Sequence, residues 1–95
     1  MMRYFLDYKK PAEKFFEKHE DVREEYETAL DIFMTGVSSK KVDVKTIKGK
    51  RNEYYRMRIG KWRVIFMITD GIVTVVSVLL AGSRGDVYKK MGGLN

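Results

Sequence analysis

The sequence contains no cysteine, and only one histidine, one proline and one tryptophan among its 95 residues. Without thiols there are no disulfides, no thiolate metal sites and no thiol nucleophile, and His19 alone builds neither a histidine metal cluster nor a two-histidine acid and base pair. No metal and no cofactor are expected. Long hydrophobic runs are missing too: the longest, Gly71 to Gly82, is too short for a membrane helix, and MMRYFLDYKK at the N-terminus lacks the form of a signal peptide. The expectation is a soluble, cytoplasmic protein without a membrane partner. No linker is marked, so residues 1–95 are read as one domain, with 44% hydrophobic residues enough for a single core.

Charge is plentiful and unevenly placed. From Pro11 to Asp31 three basic residues stand against eight acidic ones, a net −5, whereas from Lys40 to Arg63 ten basic residues stand against Asp43 and Glu53, a net +8. One end of the chain repels polyanions and the middle attracts them, as in a protein that turns one face to nucleic acid.

The basic segment contains YYRMRIGKWRVIF, Tyr54 to Phe66, in which Gly60-Lys61 predicts a tight type II′ hairpin. A two-residue loop sets Ile59 opposite Trp62, Arg58 opposite Arg63, Met57 opposite Val64, Arg56 opposite Ile65 and Tyr55 opposite Phe66. Side chains alternate faces, so the apolar members share a core face and Arg56, Arg58 and Arg63 share the other. Like charges directly opposite one another destabilise a sheet. Two readings of that face stand: a solvated basic strand face, or a phosphate site, for which forked, permanently protonated guanidinium groups are suited.

Around the hairpin the chain reads as α+β. Met2 to Tyr8 is an aromatic first strand, with Tyr4 and Leu6 on one face and Phe5 on the other. Pro11 opens a helix in which Ala12, Phe15, Phe16 and His19 form one buried stripe. Histidine ordinarily titrates near neutrality, but at a helix end among glutamates His19 is read as a packing or surface residue rather than a base. Asp21 to Glu24 has the form of a capping box opening a second helix, whose apolar face is Val22, Tyr26, Ala29, Leu30 and Phe33 and whose C-terminal cap is Gly36. The acidic residues of this helical hairpin are read as a solvated face. Val37 to Lys41 is a loop, Val42 to Ile47 a strand and Lys48 to Asn52 a turn.

Asp70-Gly71 predicts a type I′ turn that pairs Ile68 with Val73, Phe66 with Val75, Val64 with Ser77 and Trp62 with Leu79. This places Val76, Val78, Leu80 and Arg84, with Ile65 and Met67, on the arginine face. The apolar part of that face needs a cover, either the C-terminal tail or a partner peptide.

The succession of a short strand, a helical hairpin, IKG, YYRMRIGKWRVIF, an Asp-Gly turn, a Val-rich strand and SRGDVYKK resembles the RelE/ParE superfamily of toxins from toxin–antitoxin systems. The resemblance spans essentially the whole chain. It implies a helical hairpin packed on one face of a small, mostly antiparallel sheet of four or five strands. For RelE-type members it implies a metal-independent endoribonuclease that cleaves mRNA at the ribosomal A site and so inhibits translation, held in check by a short acidic antitoxin protein. Arg56, Arg58, Arg63, Arg84 and Tyr88 match the positions that carry the activity, and Lys45, Lys48, Lys50, Arg51 and Lys61 are expected to bind RNA. Ser83 stands where several members have His. ParE-type members share the fold and poison DNA gyrase, and a basic RNA-binding module without catalysis is a third reading.

The chemistry implied is transesterification by an RNA 2′-hydroxyl. Cations preorganised around the phosphate oxygens, here Arg56, Arg58 and Arg63, are usually the largest catalytic term. Tyr88 is the candidate general base, although a tyrosine ordinarily ionises only near pH ~10 and needs positive neighbours. Arg84 would help stabilise the leaving oxygen.

Overall fold

The Gly60-Lys61 hairpin is the middle of a five-stranded sheet. The computed structural model describes residues 3–36, 42–49 and 53–92. Met2, expected in the first strand, and residues 37–41 and 50–52, expected in connections, lie outside these. The elements are β1 (Phe5–Tyr8), α1 (Lys10–Lys18), α2 (Glu20–Thr35), β2 (Val44–Lys48), β3 (Glu53–Ile59), β4 (Trp62–Asp70), β5 (Thr74–Ser83) and α3 (Arg84–Met91). The strand order is β1-β5-β4-β3-β2, with β1 parallel to β5 and every other pair antiparallel. The α+β architecture agrees with the expectation.

The β3–β4 register is the expected one, from Ile59 opposite Trp62 to Tyr55 opposite Phe66. Gly60 has φ +58°, and no other residue but Gly36 enters the left-handed region among the described residues. Positive φ at the first turn position alone is the type II′ pattern, so glycine is what lets two strands reverse here without splaying.

The β4–β5 register differs from the expectation. No left-handed residue occurs at Asp70-Gly71, so the type I′ turn does not form. Asp70 instead pairs with Thr74 across a three-residue loop, and the Asp70 carboxylate accepts from the Thr74 hydroxyl at 2.9 Å. Ile68 therefore faces Val76 and Phe66 faces Val78, an odd shift that turns Val76 and Val78 to the helical face rather than the arginine face. The register then shifts again between Ile65 and Phe66, where Leu79 is the extra residue of a bulge. Beyond it Leu80 returns to the arginine face, opposite Ile65, as expected.

Each face of the sheet has its own core. On one side α1 and α2 bury Ala12, Phe16, Val22, Tyr26 and Leu30 against Met57, Val64, Phe66, Val76 and Val78. Tyr4, just before β1, and Leu6 within it join them, while Phe5 stays exposed on the other face. The junction between the helices is tighter than expected. His19 alone joins them and α2 starts at Glu20, so Asp21 already lies in the first turn, where its charge favours the helix dipole, and no side-chain cap forms. Gly36, with φ +71°, closes α2 as expected. Not all acidic residues of α2 are merely solvated: Glu27 accepts from the Tyr8 hydroxyl at 2.6 Å and Asp31 from the Tyr4 hydroxyl at 3.4 Å, tying β1 to the helix.

On the other side the chain supplies its own cover, α3, which the sequence pattern does not announce as a helix. Ser83 is its N-cap, its hydroxyl accepting from the backbone N–H of Asp86 at 3.3 Å. A helix of eight residues is marginal alone. Val87 and Met91 hold it by packing on Tyr54, Ile65 and Leu80, each buried side chain contributing roughly 1.5–3 kcal/mol of hydrophobic stabilisation. The apolar part of the arginine face is thus filled from within the chain, not left for a partner peptide.

Candidate nucleic-acid interface

The arginines are positioned by strand parity and turn geometry together. Arg58 and Arg63 are direct cross-strand partners beside the turn. Their repulsion is offset locally by carbonyl groups that the turn leaves pointing at them. Arg63 Nη1 donates to the Gly60 carbonyl at 3.1 Å and to the Trp62 carbonyl at 3.0 Å, and Arg58 Nε donates to the same Gly60 oxygen at 3.4 Å.

Arg56 occupies the expected face but not the expected environment. It is 6% exposed, and its Nη2 donates to Asp43 Oδ1 at 3.1 Å. Arg58 Nη1 stands 3.9 Å from the other oxygen of the same carboxylate, and the Arg58 backbone N–H donates to the Asp43 carbonyl at 2.9 Å. Arg56 is therefore a buried, ion-paired group beneath the surface rather than a third open cation. One carboxylate against three guanidinium groups leaves the cluster net positive, with Arg58 exposed and Arg63 half-buried at its surface.

Asp43 is the residue that sequence reasoning missed in this role. It is one of only two acidic residues in the basic segment, and that scarcity was the available signal. Ser83 likewise has a defined task, capping α3, in which a short hydroxyl side chain is favoured.

Arg84 opens α3 two residues after Gly82, the cross-strand partner of Arg63. Tyr88 lies one turn further along the same helix and is 44% exposed. Arg84 and Tyr88 make no hydrogen bond or ion pair among the described residues, so both side chains are open to a ligand. Lys45 and Lys48 are exposed on β2, at the far edge of the sheet, and Lys61 is exposed in the turn with Nζ 4.8 Å from the centroid of the Trp62 ring. Lys50 and Arg51 lie outside the described residues.

The arrangement presents two forked cations side by side at one end of the sheet, next to a helix that begins with a third and carries an exposed phenol. That geometry suits a phosphodiester. No group of three or more His, Cys, Asp or Glu residues able to hold a metal occurs among the described residues, and none of their helices is long and apolar enough to cross a membrane.

No family model matches the chain, and no curated protein sequence matches it. Among solved structures, it is similar to a chain of the RelB-RelE antitoxin-toxin complex from Methanococcus jannaschii, at 24% identity and a TM-score of 0.48, over 73% of this chain and 78% of that one.

Proposed function

We propose that this protein is the toxin of a toxin–antitoxin pair, a metal-independent endoribonuclease that cuts mRNA on the ribosome. The observation that carries the reading is the juxtaposition of Arg58 and Arg63 beside the Gly60 turn, a like-charge pair that costs stability and gains by accepting an anion. The motif resemblance of YYRMRIGKWRVIF and SRGDVYKK to RelE-type toxins points the same way.

In the proposed reaction the 2′-oxygen of one nucleotide attacks the adjacent phosphorus as its proton is removed. A 2′,3′-cyclic phosphate forms, the P–O5′ bond breaks, and the 5′-oxygen leaves as a hydroxyl by taking a proton from water. Arg58 and Arg63 stabilise the charge on the non-bridging oxygens. Tyr88 takes the 2′-proton, and Arg84 steadies the leaving oxygen. Arg56 acts from behind, fixing the Asp43 carboxylate and through it the Arg58 backbone. Lys45, Lys48, Lys50, Arg51 and Lys61 add sequence-independent attraction to the RNA backbone. A short acidic partner protein would silence the cluster by neutralising it.

The test is to induce the chain in growing cells and in a translating extract and to map mRNA ends. Cut mRNA with translation arrest is the expected result. DNA damage with intact mRNA would instead favour a gyrase-directed toxin, and RNA binding with neither effect a non-catalytic module.

A further inference from the structure

A groove of about 530 Å³ opens on the opposite side of the hairpin end, between α1 and the ends of β4 and β5. Its apolar wall is an aromatic stack. Phe15 and His19 lie nearly parallel with centroids 4.3 Å apart, and Trp62 meets them at 5.1 and 4.8 Å. All three are half-buried, so ring surface remains open to the groove. Its rim is basic: Lys10, Lys14 and Lys18 recur every four residues along α1, about 6 Å apart along the helix axis. Lys90 of α3 stands on the facing side with Asp86, the one acidic residue in the lining. None of these four lysines makes an ion pair among the described residues, and the glutamates of α1, Glu13 and Glu17, line a different depression.

We infer that this groove is a second nucleic-acid subsite, which stacks an unpaired base of single-stranded RNA on the His19 and Trp62 rings and holds its flanking phosphates along Lys10, Lys14 and Lys18. A π-face flanked by mobile cations is the arrangement that binds single strands without reading their sequence. A duplex hides its base faces and cannot use it. The chain also offers a contrast: the groove of about 630 Å³ beside α2 is lined by Asp21, Glu24 and Glu25 against one cation, Arg58, and so attracts a polyanion less. Trp62 and Arg63 are consecutive strand residues that project to opposite faces, so one RNA strand rounding the end of the sheet reaches both sites. The inference extends the RNA reading of the arginine face, and because its test reads binding rather than cleavage, the two can fail separately.

Trp62 is the only tryptophan, so intrinsic fluorescence reports the groove directly. The probe is a ten-nucleotide 2′-O-methyl single strand, which cannot undergo attack by the 2′-oxygen. It is expected to quench Trp62, and a duplex of the same length to quench it far less. The exposed triple variant Lys10→Ala, Lys14→Ala, Lys18→Ala is expected to bind at least tenfold more weakly in low salt. Its log–log salt slope should be smaller by about 2, since each phosphate contact to a single strand contributes about 0.7. His19→Ala, followed by anisotropy of a labelled strand, should lose roughly tenfold through weaker stacking. Absence of quenching at saturation, unchanged affinity and slope in the triple variant, or tighter binding of a poly-glutamate peptide than of RNA would each overturn the inference.

Discussion

Arg58 and Arg63 donate to one and the same acceptor, the carbonyl oxygen of Gly60, at 3.4 and 3.1 Å. This turn carbonyl is the acceptor that two mutually repelling guanidinium groups share, while the Trp62 carbonyl also accepts from Arg63 and the Asp43 carboxylate stands 3.9 Å from Arg58. It is a weak anchor for two full charges, which leaves most of their donors for an incoming phosphate.

If these donors stabilise the transition state, Arg63→Ala lowers single-turnover mRNA cleavage on programmed ribosomes by roughly 10²–10³-fold. The same change relieves a like-charge cross-strand pair, so its urea midpoint should not fall below that of the parent. A variant that is both destabilised and fully active would refute the assignment.

Tyr88→Phe separates proton transfer from stacking, because it keeps the ring and deletes the hydroxyl. With Tyr88 as base, the variant binds ribosomes normally and cleaves at least about 10²-fold more slowly. Nearly unchanged cleavage in parallel binding and single-turnover assays would leave the residue a stacking platform only.

Asp43→Asn strands Arg56 in its buried position without a counter-ion. Breaking a buried pair is costly, but Asp43 is itself half exposed, with 47% of its side chain accessible, so water recovers part of the loss and about 1–2 kcal/mol is expected. Arg56→Met, which removes the charge that needs the partner, should cost less than Asp43→Asn. Equilibrium urea melts decide the order, and the reverse ranking would mean that Arg56 is held by something other than Asp43.

Alkali should weaken the link between β1 and α2. Burial, with the charge and hydrogen bond of Asp31, pushes the Tyr4 hydroxyl up to about 12, and burial with the Glu27 hydrogen bond raises Tyr8 further. The folded state keeps protons that the unfolded chain releases near its ordinary value of 10.0, so this stabilisation is complete below about pH 10 and declines as pH rises toward 12. Thermal melts between pH 9 and 12 should show that decline, and the Tyr4→Phe, Tyr8→Phe double variant should flatten it. A parent curve already flat over this range would contradict the assignment.

The β3–β4 hairpin was legible because two independent signals agreed, a glycine at the turn and strict alternation from Tyr55 to Phe66. The β4–β5 pairing offered no such check. From Ile72 to Leu80 both faces of the strand are mostly apolar, so neither an odd register shift nor a bulge at Leu79 disturbs the pattern. The pairing of buried Arg56 depends on Asp43, thirteen residues earlier and off the end of β2, and the cover of Tyr54, Ile65 and Leu80 depends on α3 closing over the same face. Both are tertiary facts. The short α3 carries too few apolar residues to declare a period, and its cap, Ser83, reads equally well as the end of a strand.

The bulge at Leu79 lets one strand serve two cores at once, and for that reason β5 has no solvent side on which to carry a charge. Between Gly71 and Gly82 there is none. Such a segment, β-rich and uncharged, is prone to pair with copies of itself whenever the chain is open. The topology closes the two edges of this strand at different entropic cost. The three-residue loop after Asp70 brings β4 alongside β5 with little loop entropy, whereas β1 must cross the whole helical hairpin to reach the other edge of β5. Until β1 arrives that edge is bare, and Asp70 and Arg84, just beyond the two ends of the uncharged run, are the nearest charges that discourage a second chain from taking the place of β1.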